Sequence, residues 1–138
     1  MIKKIEHIGV AVKDVEKSVH IFQDLLGIPL ERVYESEAIK TKIAFFPLGD
    51  STIELIQPMD PASPAAKFIE KRGEGIHHLC LGVEDIEQSL REFEAKGIEL
   101  LNKTPRKTQD GRLVAFLNPK STNGVLIELE EMHKEHKE

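Results

Sequence analysis

A chain of 138 residues is one domain's length, enough to bury a core without disulfides or structural metal. With 40% hydrophobic and 31% charged residues it has an ordinary soluble composition, and no apolar run approaches the roughly 20 residues of a membrane span. The net charge of −5 argues against a broad nucleic-acid surface, and the single cysteine, Cys80, excludes an internal disulfide. A cytoplasmic protein with neither nucleic acid nor membrane as partner is expected. The opening MIKKIEHIGV passes straight into strand alternation without the apolar stretch of a signal peptide, so the protein is expected to begin at Met1.

Alternation over Ile5–Val12 predicts the first strand, and Asp14 caps a helix whose apolar residues Val15, Val19, Phe22 and Leu26 recur at helical spacing. Gly27 ends that helix. Strands are predicted over about 30–37, 41–47 and 51–57. PMDPASPAAKFIEKRGEG follows as a linker in which Ser63-Pro64 opens a short helix that stops at Gly73. Ile76–Val83 alternates again, Asp85 caps a helix carrying Ile86, Leu90 and Phe93, Gly97 ends it, and strands are predicted over 98–102, 112–117 and 124–130.

This second series repeats the first. Residues 5–23 lie on 76–94 without a gap, with Ile5, His7, Val12, Asp14, Glu16, Ser18 and Phe22 meeting identical residues. Further on, Ala44-Phe45-Phe46 answers Ala115-Phe116-Leu117, and Ile53-Glu54-Leu55 answers Ile127-Glu128-Leu129. The fold class predicted is α+β, as two tandem βαβββ modules.

In a strand, residues two apart share a face, so His7 lies with Gly9 and Ala11, and His78 with Cys80 and Gly82. A histidine followed only by small residues predicts open volume in front of it, a candidate ligand cavity. Glu54 and Glu128 stand at equivalent points of the last strand of each half among large apolar residues, where a carboxylate requires a partner or a metal. If a pseudo-twofold axis relates the halves, two imidazoles and two carboxylates converge. That set suits a divalent ion such as Co, Mn, Ni or Zn with two positions left for substrate oxygens. Glu130, Glu131 and the tail residues His133 and His136 are set aside as non-site residues, and His77 points away from His78. Lys103, Arg106, Lys107, Arg112 and Lys120 form either a basic patch or a solvated loop.

At these residues the sequence resembles the vicinal oxygen chelate superfamily, and within it the methylmalonyl-CoA epimerase family. IEHIGVAVKDVEKS, IELIQP, SPAAKFIEKRGEGIHHLCLGVEDI and NPKSTNGVLIELEE carry the resemblance, which covers essentially the whole chain. It implies one domain, 1–138, of two modules at about 1–57 and 75–131 joined by a helical linker 58–74. The implied metal ligands are His7, Glu54, His78 and Glu128, with cobalt first among Co, Mn, Ni and Zn. The implied reaction interconverts the two epimers of methylmalonyl-CoA by removing and returning the α-proton through a metal-stabilised enolate. Glu128 and Glu54 are then the acid/bases, an acyl-CoA thioester the substrate and a homodimer the working form. The family's glutamate in the third strand has no counterpart in Ile39-Lys40-Thr41-Lys42-Ile43, and Thr108-Gln109-Asp110-Gly111 and Asn118 replace its glycine-rich turn and histidine. Glyoxalase I, which would share the ligand set, and a non-catalytic ligand-binding member are the alternatives.

Overall fold

The computed structural model describes residues 1–132. The chain forms two compact units, one of His7–His77 and one of Met1–Glu6 with His78–Glu138.

The first unit takes β1 (Ile2–Ala11) from His7 onward, then α1 (Val15–Val19), β2 (Arg32–Ser36), β3 (Thr41–Leu48), β4 (Ser51–Pro58) and α2 (Pro64–Arg72). β2, β3 and β4 pair antiparallel, and β1 lies parallel to β4. The Asp14 carboxylate accepts from the N–H groups of Glu16 and Lys17 at the start of α1. Val12, Val15, Ala44, Phe46 and Leu55 form the core, with Val10, Val19 and Phe22 packed against it. Each large side chain buried there stabilises the unit by about 1.5–3 kcal/mol. The linker helix is as expected: the Ser63 hydroxyl accepts from the Ala66 N–H, Pro64 is the first helical residue, and Gly73 ends the helix at φ 79°.

The second unit holds β5 (Gly75–Val83) from His78, α3 (Ile86–Ala95), β6 (Arg106–Lys107), β7 (Leu113–Leu117) and β8 (Ile127–Glu131). β5 is parallel to β8, while β6, β7 and β8 are antiparallel. Asp85 caps α3 through the Gln88 N–H, and Val83, Ile86, Leu90, Ala115, Leu117 and Leu129 make the core. The Met1–Glu6 segment is tied to this unit where Lys3 Nζ meets the Glu84 carboxylate at 2.6 Å. The hydrogen bond and charge of Lys3 hold the Glu84 carboxyl below its ordinary range.

Both units thus follow the predicted order of strand, helix and three strands, with departures in detail. α1 continues from His20 to Leu25 as a π-helical stretch, where the Leu26 N–H donates to the Ile21 carbonyl. The bond closing the helix runs from Ile28 N–H to Phe22 O in the first unit and from Ile98 N–H to Phe93 O in the second. Phe22 and Phe93 are equivalent, as are Ile28 and Ile98, so the first helix holds one surplus residue and the π turn absorbs it. Residues 98–102 are not a strand. Leu100 makes a single bridge to Leu117, and the Asn102 carboxamide accepts the Phe116 N–H that a strand carbonyl would otherwise take. Pro105 offers no N–H, and regular pairing with β7 is left to Arg106 and Lys107. The last strand starts at Ile127 because Asn123 and Gly124 adopt positive φ, 58° and 83°.

Candidate active site

Parallel pairing sets the geometry of each unit. On β1 and β4, Gly9 stands opposite Glu54 and His7 opposite Thr52, so Glu54 lies one pleat ahead of His7 on the same face. His7 Nδ1 and Glu54 Oε2 are 3.1 Å apart. On β5 and β8, Cys80 stands opposite Glu128, and His78 Nε2 lies 3.3 Å from Glu128 Oε1. The antiparallel neighbour supplies an aromatic ring in both units, Phe45 opposite Glu54 and Phe116 opposite Glu128. The Phe116 ring is edge-on to His78 at 6.2 Å between centroids. His7, His78 and Glu128 are buried, and Glu54 is nearly so, its side chain 14% exposed.

Each unit therefore brings together one imidazole and one carboxylate, both predicted from the sequence. Two donors about 2.1 Å from one ion at an angle of 90–110° lie about 3.0–3.4 Å from each other. The pairs at 3.1 and 3.3 Å meet that spacing. The donor atoms, imidazole nitrogen and carboxylate oxygen, suit a divalent transition metal.

At Gly82 the structure departs from the expected open volume. A Cβ placed on Gly82 would meet Met132 Cγ at 3.1 Å and Lys4 Cγ at 3.3 Å, so the space before Gly82 is filled by these side chains. One cleft of the second unit, about 640 Å³, is lined by Glu84, Asp85, Arg112, Leu113 and Glu131, among others. Another of about 180 Å³ lies along α3 at Leu90, Arg91 and Pro105. None of the four predicted ligands lines either cleft.

Two roles emerge for residues set aside at first. The Glu131 carboxylate accepts the Ile86 N–H at 3.2 Å, as the Gln57 side chain accepts the Val15 N–H at 2.8 Å, so both tie the end of a last strand to the start of a helix. Glu130 is buried and receives the Arg112 guanidinium at 2.9 Å, while Asp110 and Glu6 lie 3.1 and 3.9 Å from it. Burial lowers the pKa of Arg112, but the charges of Glu130, Asp110 and Glu6 outweigh it, and the guanidinium is held above its ordinary value. Arg112 is thereby committed to carboxylates and leaves the basic patch. The alternation that puts Glu130 on the same face as Glu128 was the available signal. His77 belongs to the first unit and stands edge-on to Phe68 at 5.2 Å, whereas His133 and His136 lie outside the described residues. Among the described residues no helix is long and apolar enough to cross a membrane.

A sequence model of the glyoxalase/bleomycin resistance protein/dioxygenase superfamily matches residues 6–116. The ethylmalonyl-CoA/methylmalonyl-CoA epimerase of Cereibacter sphaeroides is 34% identical over 134 residues, which cover 96% of this chain and 100% of that one. Among solved structures, a hypothetical protein from Bacillus halodurans C-125 superposes with a TM-score of 0.90 at 38% identity, covering 98% of both chains. A variant of the Streptomyces coelicolor methylmalonyl-CoA epimerase in complex with 2-nitronate-propionyl-CoA superposes with a TM-score of 0.86 at 28% identity over 95% of both.

Proposed function

Because this chain belongs to the glyoxalase/bleomycin resistance protein/dioxygenase superfamily and, within it, to the family of the methylmalonyl-CoA epimerases, we propose that it interconverts the epimers of methylmalonyl-CoA. The observation that carries this reading is the duplicated pair, His7 with Glu54 and His78 with Glu128, each on a parallel strand ladder.

Epimerisation requires a base on one side of the substrate's α-carbon and an acid on the other. Glu128 takes the proton at a carboxylate oxygen from one face, and Glu54 returns one to the opposite face; reversal runs the same pair in exchanged roles. The residues paired with these carboxylates across the sheet, Phe116 and Phe45, give each of them an aromatic neighbour. His7 and His78 hold the carboxylates at about 3 Å. A divalent metal held by His7, Glu54, His78 and Glu128, cobalt first with Mn, Ni or Zn after it, would supply positive charge where negative charge develops on the substrate. In this reading the chain works as one domain, a cytoplasmic homodimer acting on an acyl-CoA thioester.

The test is incubation of the purified protein with methylmalonyl-CoA in deuterated water, followed by mass and chirality. Interconversion with deuterium entering at the α-carbon is expected, and methylglyoxal with glutathione should give no turnover above background. Turnover of the hemithioacetal with no exchange into methylmalonyl-CoA would assign the site to glyoxalase chemistry instead.

A further inference from the structure

In the first unit one cross-strand row runs Arg32, Phe45, Glu54, Gly9 across β2, β3, β4 and β1. Residues paired across a sheet share a face, so Arg32 projects on the face that carries His7 and Glu54. The row passes from an exposed end at Arg32 to a buried end at Gly9. The Arg32 guanidinium carbon lies 4.2 Å from the centre of the Phe45 ring and 5.7 Å from that of Tyr34. Tyr34 belongs to the same face, two residues along β2. On His7's face of these four strands, counted from His7, Arg32 is the sole lysine or arginine among the described residues.

We propose that Arg32, held over the Phe45 ring beside Tyr34, is the residue that anchors an oxyanion of the substrate, either the acyl carboxylate or a phosphate of the coenzyme. Stacking on aromatic faces fixes the plane of a guanidinium whose N–H edges can bond an oxyanion, and the exposed Glu31 carboxylate, 3.8 Å from Arg32 Nε, already takes one such approach. The strand spacing of about 4.8 Å puts Arg32 two strands, about 10 Å, from Glu54 along the backbone, and the side chain leans back over the strand between them. A chain of net charge −5 that takes a polyanionic thioester needs such a local cation. At the equivalent place in the second unit, beside Phe116, stands Asn102, whose carboxamide accepts the Phe116 N–H; the arginine on that unit's Glu128 face, Arg106, lies one row further on, paired with Val114. Arg32 anchors and does not transfer the proton.

This inference rests on the proposed function for its substrate but is read separately from it. Arg32→Ala should raise KM for methylmalonyl-CoA at least about tenfold while kcat stays within about twofold, because the loss is of binding to an exposed ion. Arg32→Lys keeps a charge on the edge strand but not the stacked plane, and should raise KM about threefold. Comparison with methylmalonyl-pantetheine, which has no phosphate, separates the two oxyanions: a rise in KM that persists assigns the carboxylate, and one that vanishes assigns a phosphate. Calorimetric binding of coenzyme A and of methylmalonate to wild type and Arg32→Ala gives a second reading independent of turnover. Weaker binding in the variant with no wild-type exchange keeps the anchor and removes the epimerase reading. Unchanged KM together with unchanged binding in Arg32→Ala overturns the anchor.

Discussion

In the first unit Glu54 stands between Phe45 and Gly9, and in the second Glu128 stands between Phe116 and Cys80, with the partner histidine one pleat behind in both. One step further along the same faces the units part. The first has Ile56 between Ile43 and Ala11, and the second has Glu130 between Val114 and Gly82. Ile56 and Glu130 are equally buried, each 8% exposed. Ile56 needs only apolar neighbours. Glu130 needs the Arg112 guanidinium, which in turn touches Asp110. Backbone register therefore maintains the imidazole–carboxylate pair in both units, while the polarity of the neighbouring row has been free to diverge. Function that depends on the pair is duplicated, and function that depends on its surroundings belongs to one unit.

The largest test sets the two carboxylates against each other. Glu128→Gln and Glu54→Gln should each lower α-proton exchange by about 10²–10⁴-fold, the usual worth of a general acid or base. An amide oxygen still coordinates, so metal content measured by elemental analysis should fall far less than activity. Should the exchange rate survive in one variant, the units are not equal partners and a single carboxylate works with another acid.

A smaller effect is expected in the row where the units differ. Arg112→Met leaves Glu130 buried without its cation and should cost about 2 kcal/mol in urea unfolding, the guanidinium being 35% exposed and partly screened. Adding Glu130→Ile, the residue the first unit carries at that place, should recover most of the loss. A double variant as unstable as the single one would show that Arg112 acts through Asp110 and Glu6 instead.

The smallest effect concerns the caps shared by both units. Gln57→Ala and Glu131→Ala each remove the acceptor for the first N–H of a helix, and each should cost about 1 kcal/mol. Glu131→Gln should cost a few tenths, because only the attraction between its charge and the helix end is lost. Equal losses in Glu131→Gln and Glu131→Ala would mean that charge, not the hydrogen bond, ties β8 to α3.

Much of this was legible before the structure, for physical reasons that differ by residue. Asp14, Asp85, Ser63, Gly27, Gly73 and Gly97 act locally, through a side-chain oxygen or a positive φ, and local chemistry is read directly from neighbours in sequence. His7, Glu54, His78 and Glu128 were visible because duplication marks them twice. Residues 98–102 misled because Leu100 and Leu101 look like strand residues, whereas the deciding bond, from Phe116 N–H to Asn102, spans a loop. Glu130 resembles a solvated acid in sequence, and only Arg112 from β7's approach identifies it as buried. Arg32 escaped notice since it has no repeat partner, and its value lies in a cross-strand row that no linear pattern displays.

The allocation of Met1–Glu6 to the unit that begins at His78 bears on how the chain is made. During vectorial synthesis residues 1–6 emerge ahead of the first unit, yet Glu84, whose N–H meets the Met1 carbonyl at 3.4 Å and whose carboxylate meets Lys3, emerges only after that whole unit. At ribosomal rates of about 5–20 residues per second, several seconds separate the two events. For that interval His7–Ala11 can already pair with β4 while the residues just before them have no partner. The segment is thus a waiting strand end, and its charges at Lys3, Lys4 and Glu6 are the kind of side chains that keep an unpaired strand from capturing a neighbouring chain.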